Sequence, residues 1–115
     1  MLNPLRQLRL LLVEDQDLDA ELLVATLREA GHVFSWTRAQ SESEYRAGLE
    51  TGPDLVISDY HLPGFSGLRA LSILHEQDRD IPFILVSGAI NEREALEVIR
   101  MGADDFLLKD RLGRL

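Results

Sequence analysis

The chain has 115 residues, and its 12 Lys and Arg against 20 Asp and Glu give a net charge of −8. One domain of ordinary size accounts for this length, and 45% hydrophobic residues are enough for a packed core. The negative charge disfavours general binding to nucleic acids or membrane surfaces, because both are polyanions. The lack of Cys excludes disulfides and thiolate metal sites. The N-terminal apolar run is too short for a signal core or a bilayer span, so we expect a cytoplasmic protein.

Short apolar runs without alternation predict strands that are buried on both faces, as in a mostly parallel sheet. The clearest runs cover Leu8–Val13, Leu55–Ser58 and Phe83–Val86, and each one stops at a polar residue. Weaker strand patterns cover His32–Thr37 and Asp104–Leu108. The sequence therefore predicts five strands.

The segments between these runs have patterns typical of helices. The first helix, from Asp17 to the left-handed cap Gly31, has apolar residues at the spacing of one buried face: Ala20, Leu23, Val24 and Leu27. Capping residues and Gly or Pro stops predict three more helices, at residues 41–49, from Ser66 to before Pro82, and from Asn91 to Gly102. This strict alternation of strands and helices predicts an α/β doubly wound fold.

Acidic residues follow two of the predicted strands directly. Glu14 and Asp15 come after the first strand, and Asp59 comes after the third. In an open parallel sheet, ligands bind beyond the carboxyl ends of the strands, where the strand order reverses. If these strands are neighbours, their carboxylates converge, and a hard cation such as Mg²⁺ relieves the repulsion. Acids that merely begin a helix are the alternative, which we prefer for Asp17 but not for Asp15 or Asp59.

Two further strand ends carry groups suited to binding phosphate. Ser87 and Gly88 offer a hydroxyl and an unhindered backbone N–H, and Lys109 offers a point charge after the last strand. A helix-capping Ser and a surface Lys are the alternatives for each residue taken alone. Together with a carboxylate nucleophile and a metal, these groups predict a site for phosphoryl transfer to Asp59.

Four stretches of the chain resemble the receiver domains of two-component response regulators. They are LLVED at 11–15, DYHLPGFSG at 59–67, LVSGA at 85–89 and GADDFLLKD at 102–110, in the expected order. The resemblance implies one receiver domain over residues 1–115, with a five-stranded parallel sheet of order 2-1-3-4-5 (flavodoxin-like) and helices on both faces. The fifth helix would be largely absent from this chain, because only Arg111–Leu115 remain for its first turn.

The resemblance also implies a role for each residue that handles the phosphoryl group. Asp59 would be the phosphoacceptor, Lys109 would contact the phosphate, and Ser87 would close on the phosphoryl group. Gly88 and His61 would contribute backbone contacts to the phosphate. His61 would also influence the rate of dephosphorylation, unless it is simply an exposed loop residue.

A metal site and a switch are implied in the same way. The Mg²⁺ (or Mn²⁺) ligands would be the side chains of Asp15 and Asp59, the backbone carbonyl of His61 and, through water, Glu14. Phe106 would rotate inward when Ser87 moves and leaves space for its ring. The alternative is that Phe106 is an ordinary core ring, because a side chain in a packed core moves only where space opens for it.

A receiver domain would be a signalling module rather than an enzyme, with only its own phosphorylation and dephosphorylation as chemistry. Its partner would be a sensor histidine kinase or a histidine phosphotransfer protein. A homodimer is compatible with the sequence. Nucleic acid and membrane are not expected partners of this domain. A degenerate interaction module of the same fold is the alternative. A haloacid-dehalogenase-type phosphatase is disfavoured, since His61 stands where that class needs a second acid.

One position departs from the family pattern. The phosphate-contacting lysine is usually followed by a proline with a cis bond, whereas Asp110 follows Lys109 here. A cis bond without proline costs about 2.5–4 kcal/mol, so we expect a trans bond, and the direction of the Lys109 side chain does not follow from the resemblance.

Overall fold

A computed structural model of the chain describes residues 7–62, 64–88 and 92–109. Three of the predictions concern residues outside these ranges: the helix cap at Asn91, the bond between Lys109 and Asp110, and the helical turn at Arg111–Leu115.

Strands and helices alternate through most of the described chain. The elements are β1 (Leu8–Val13), α1 (Asp17–Glu29), β2 (Phe34–Ala39), α2 (Glu42–Glu50), β3 (Leu55–Asp59), β4 (His61–Leu62), β5 (Phe65–Ser66), α3 (Gly67–Glu76), β6 (Phe83–Ser87), α4 (Glu92–Arg100) and β7 (Asp105–Leu108). The strands β4 and β5 form a separate antiparallel hairpin, which the sequence patterns did not predict.

The other five strands form one parallel sheet in the order β2-β1-β3-β6-β7. Without the small hairpin this is the predicted order 2-1-3-4-5, so the predicted topology is confirmed. The strand β1 is second in the order and pairs with both β2 and β3. The chain goes from β1 to β2 on one side of it and then crosses to β3 on its other side. The carboxyl ends of β1 and β3 therefore lie side by side at the point where the strand order reverses.

Helices cover both faces of the sheet, as a doubly wound fold requires. On one face, α1 packs against the sheet through Ala20, Leu23, Val24 and Leu27, the four residues of its predicted apolar face. On the other face, α2, α3 and α4 contribute to a second cluster, with fully buried residues such as Tyr45, Ile73 and Val98. Most strand residues are buried between the two layers, because each face of the sheet is covered.

The second strand begins two residues later than predicted, at Phe34 instead of His32. The cause is the C-terminal cap of α1, in which Gly31 has a φ of +92° and the N–H of His32 donates to the carbonyl of Leu27. This cap uses His32, and β2 then runs on to Ala39 in register with Val13. The prediction His32–Thr37 was therefore wrong at both of its ends.

Two predicted helix starts are confirmed by side-chain caps. The hydroxyl of Ser41 accepts from the N–H of Glu44, and the hydroxyl of Ser66 accepts from the N–H of Arg69. Both helices therefore start from well-defined points beside the sheet. Within the described ranges, every helix is too short or too polar to cross a bilayer.

Candidate functional site

Three carboxylates meet at the carboxyl edge of the sheet. Glu14 and Asp15 follow β1, Asp59 is the last residue of β3, and the two strands pair up to Val13 and Ser58. Carboxylate oxygens of Glu14, Asp15 and Asp59 all lie within 4.8 Å of one another. This spacing and the all-oxygen donor set fit a hard divalent cation such as Mg²⁺.

Burial makes the negative charges of this cluster costly. Glu14 and Asp59 are only 3% and 6% exposed. Burial raises the pKa of the Asp59 carboxyl, although Lys109 and the backbone N–H groups of Tyr60 and His61 act in the opposite direction. Burial also raises the pKa of Glu14, and the nearby charge of Asp59 raises it further. A cation at this position would offset the repulsion between the carboxylates.

Lys109 directly follows β7 and reaches into the same cluster. Its Nζ lies 3.1 Å from Glu14 Oε2 and 3.3 Å from Asp59 Oδ2. A third carboxylate, Asp19 Oδ2 on α1, lies nearer, at 2.7 Å. Burial lowers the pKa of Lys109, but its bonds to Asp19 and Glu14 outweigh burial and raise the pKa above its usual value. The lysine is therefore a permanent cation at the site.

Asp19 is a member of the site that the sequence analysis missed. It lies in the first turn of α1, which begins at the carboxyl edge of the sheet just after Asp15. The available sequence signal was this position in the first turn, but acids there are common because they favour the helix dipole.

Ser87 and Gly88 lie at the same edge of the sheet. The strand β6 pairs with β3 so that Val86 is opposite Asp59, and Ser87 comes one residue beyond that pair. Ser87 is fully buried, whereas Gly88 is exposed and has open space where a side chain would be. The structure thus brings the predicted hydroxyl and backbone N–H to the strand end next to Asp59.

Phe106 and His61 lie beside this cluster. Phe106 is paired with Leu85 in the sheet, and its half-buried ring packs against the core beneath α3 and α4. The His61 side chain is 66% exposed, with its Nε2 3.8 Å from Glu94 Oε2. His61 therefore contacts α4 from the loop side, and only its backbone is directed at Asp59.

Hydrogen bonds from β2 and α1 fix the loop that carries the acidic pair. Arg38 Nε donates to the backbone carbonyl of Glu14 at 2.8 Å, and Arg38 Nη1 donates to Asp17 Oδ1 at 2.6 Å. The N–H of Gln16 donates to Glu14 Oε1, and its side chain donates to Asp15 Oδ2. Arg38 was not predicted as part of the site, because it lies one residue beyond the predicted second strand, His32–Thr37.

The start of α3 fixes the backbone at Asp59. The N–H of Gly67 donates to the carbonyl of Tyr60 at 2.9 Å. A Cβ at position 67 would lie 2.5 Å from the backbone oxygen of Asp59, so only Gly fits this close approach.

The model of the response regulator receiver domain family matches residues 10–114. The chain belongs to this family. Over 102 residues, 89% of the chain, it is 34% identical to the two-component response regulator PhoP of Pseudomonas aeruginosa. It is also 36% identical, over 90% of its length, to the C4-dicarboxylate transport transcriptional regulatory protein DctD of the same organism.

Solved receiver structures agree with this assignment. A response regulator receiver protein from Pseudomonas putida is 29% identical, with a TM-score of 0.82 over 95% of this chain and 92% of that one. The receiver domain spans 45% and 22% of the lengths of PhoP and DctD, that is, less than half of either relative. The predicted family is confirmed.

Proposed function

We propose that this receiver domain takes a phosphoryl group from a phosphohistidine onto Asp59, and that the phosphorylated domain controls a partner or an attached output domain. The observation that carries the proposal is the contact of Asp59 with Lys109, at 3.3 Å, inside a cluster of three carboxylates. A buried nucleophile, a fixed cation and a donor set for a divalent metal are the parts that phosphoryl transfer needs.

Mg²⁺ or Mn²⁺ fits the acidic cluster, since the cluster offers oxygen ligands only. The side chains of Asp15 and Asp59 and the backbone carbonyl of His61 would hold the ion, with Glu14 acting through a water. When bound, the ion neutralises the converging carboxylates and draws in the oxygens of the phosphodonor.

The chemical step involves one side-chain oxygen of Asp59. This oxygen forms a bond to phosphorus while the bond between phosphorus and the donor imidazole breaks, and the imidazole nitrogen leaves with the bonding pair and takes up a proton. Lys109 donates to the transferred phosphoryl oxygens, which carry more charge than the carboxylate had. The backbone N–H of Gly88 and the hydroxyl of Ser87 donate to the same group.

The output is a shift between two arrangements of the surface around β7. The phosphoryl group on Asp59 attracts Ser87, which is at the end of the neighbouring strand. Phe106 lies in β7 opposite Leu85, and Ser87 is opposite Leu108, two residues further along both strands. When Ser87 moves toward the phosphoryl group, the ring of Phe106 takes up the space that it leaves. The phosphorylated state thereby favours one arrangement of α4 and β7.

The phosphodonor is a sensor histidine kinase or a histidine phosphotransfer protein, in the cytoplasm. The similarity of the chain to PhoP, a two-component response regulator, supports this proposal. Homodimerisation of the phosphorylated domain is one way to pass the signal on. The domain remains a signalling module, since phosphorylation and its own dephosphorylation are its only chemistry.

Incubation with phosphoramidate and Mg²⁺, followed by intact mass measurement, tests the proposal. We expect a single, base-labile phosphate adduct in the wild-type domain and none in Asp59→Asn. Asp80→Asn is the matched control, because Asp80 is an exposed acid just before β6, at the opposite edge of the sheet. The absence of an adduct in the wild-type domain would favour a degenerate interaction module, and steady turnover of phosphomonoesters would favour a phosphatase.

A further inference from the structure

The nearest partner of Lys109 is a carboxylate outside the metal cluster. Asp19 Oδ2 lies 2.7 Å from Lys109 Nζ, whereas the distance to Asp59 Oδ2 is 3.3 Å. Asp19 does not belong to the group of carboxylates that converge within 4.8 Å. Its side chain is 38% exposed, and it stands on the first turn of α1.

Among the described residues, three carboxylates accept from the ammonium of Lys109, which has three N–H groups to donate. A phosphoryl group on Asp59 would take over the bond that Asp59 now receives. A divalent cation in the cluster would compete for Glu14, because it attracts the same oxygens. Asp19 lies outside the metal cluster and does not receive the phosphoryl group, so we expect its bond to Lys109 to persist through the reaction.

Asp19 is also a rigid anchor. The helix α1 is held on the sheet by Ala20 and three further apolar residues, and the N–H of Ala20 donates to the carbonyl of Gln16. Lys109, in contrast, comes just after the last residue of β7 and has a long, flexible side chain. Holding such a side chain in one place costs rotamer entropy, and a fixed partner offsets this cost before the phosphodonor arrives.

We propose that Asp19 is a positioning residue that holds the ammonium of Lys109 at the place where the phosphoryl group of phosphorylated Asp59 will lie. This inference rests on the proposed function. It predicts that loss of Asp19 slows phosphoryl transfer even when Mg²⁺ is saturating, because Lys109 is then no longer aimed. A purely competitive role, in which Asp19 keeps Lys109 away from the phosphate, predicts faster transfer instead.

The test is the rate of phosphorylation by phosphoramidate at saturating Mg²⁺, followed by intact mass. We expect Asp19→Ala to be slower than wild type by about threefold or more, which corresponds to ~0.7 kcal/mol of transition-state energy. Asp19→Asn keeps an acceptor oxygen without the charge, so its rate should lie between those of wild type and Asp19→Ala. Glu21→Gln is the matched control and should react at the wild-type rate, because it removes an exposed charge from the same helix on another face.

A double-mutant cycle separates positioning from a general effect of charge or folding. In a Lys109→Met background, Asp19→Ala should cause no further loss, because there is no ammonium left to aim. An equal loss in that background, or a rate of Asp19→Ala at or above wild type, would overturn the inference. If the wild-type domain itself takes up no phosphate, the proposed function is wrong and the positioning role is wrong with it. If the wild-type domain takes up phosphate and the Asp19 variants do so at the same rate, the proposed function stands and the positioning role alone is wrong.

Discussion

Gly67 is the position where one added methyl group should disturb the site most. A Cβ there would overlap the Leu85 side chain and would lie 2.5 Å from the backbone oxygen of Asp59 and 3.1 Å from the Cα of Tyr60. The ordinary separation of such atoms is about 3.5–4.0 Å. Leu85 is fully buried, and the other two neighbours are backbone, so none of the three yields easily. We therefore expect Gly67→Ala to shift α3 away from the end of β3.

The expected cost combines two opposing effects. Overpacking a close-packed core costs about 1–3 kcal/mol. Replacing Gly by Ala inside a helix returns up to about 1 kcal/mol, but Gly67 is only the first residue of α3 and gains less. Gly67→Ala should thus lower the free energy of unfolding by about 1–2 kcal/mol. Because the shift acts on the backbone of Asp59, the variant should also take up phosphate more slowly.

Gly48→Ala is the matched control for this prediction. The atoms nearest to its methyl group would belong to the Leu11 side chain, with Cδ1 at 2.6 Å, and a side chain adjusts more readily than backbone. Position 48 lies within α2, where the helix preference for Ala offsets part of the cost. Urea unfolding of both variants should show the larger loss for Gly67→Ala, with unchanged m-values. If Gly67→Ala were as stable as wild type, or less damaged than Gly48→Ala, the close approach at Asp59 would be refuted.

Four further variants test the electrostatics, the loop and the core. Burial raises the folded-state pKa of Asp59 and Glu14, so ionising these carboxyls lowers the stability of the fold as pH rises. Without metal at pH 7, Asp59→Asn and Glu14→Gln should therefore raise the thermal midpoint. The gain should vanish below about pH 4, where these carboxyls are protonated in the folded and the unfolded state alike. Arg38→Ala should lower the free energy of unfolding in urea by about 1–3 kcal/mol, because the backbone carbonyl of Glu14 loses its hydrogen-bond donor. For the same reason it should weaken Mg²⁺ binding in calorimetry, and an unchanged Mg²⁺ affinity would contradict this. Tyr45→Phe should cost about 1 kcal/mol, since the buried hydroxyl donates to the carbonyl of Ala70 at 2.7 Å, and an unchanged urea midpoint would refute that contribution.

The strands and the acids at their carboxyl ends could be predicted because their signals are local, whereas the sheet order 2-1-3-4-5 came from the resemblance to receiver domains. Each central strand is a short apolar run, and acids follow two of these runs directly, as the pair Glu14 and Asp15 and as Asp59. Parallel strands end at a common edge, so the convergence of these side chains follows from the order of the elements. The same reasoning placed Ser87 and Lys109 at this edge.

Asp19 and Arg38 could not be predicted, because their roles depend on three-dimensional placement. The side of α1 that faces Lys109 is decided by how the helix packs, and an acid in a first turn has a sufficient local explanation. Arg38 was placed beyond the end of the predicted second strand, since that prediction stopped at Thr37. The actual strand includes Arg38 because it stays paired with β1 up to the pair of Ala39 with Val13. A two-residue error thus hid the residue that supports the acidic loop.

The central claim is that Asp59 becomes phosphorylated, and mapping the phosphate to a residue tests it most directly. Borohydride reduces an aspartyl phosphate to homoserine, so the domain is treated with phosphoramidate and Mg²⁺, reduced, digested and sequenced by mass spectrometry. We predict homoserine at position 59 and unmodified Asp15 and Asp19 in the same sample. Homoserine at either of those positions with Asp59 intact, or no reduced residue anywhere, would contradict the account.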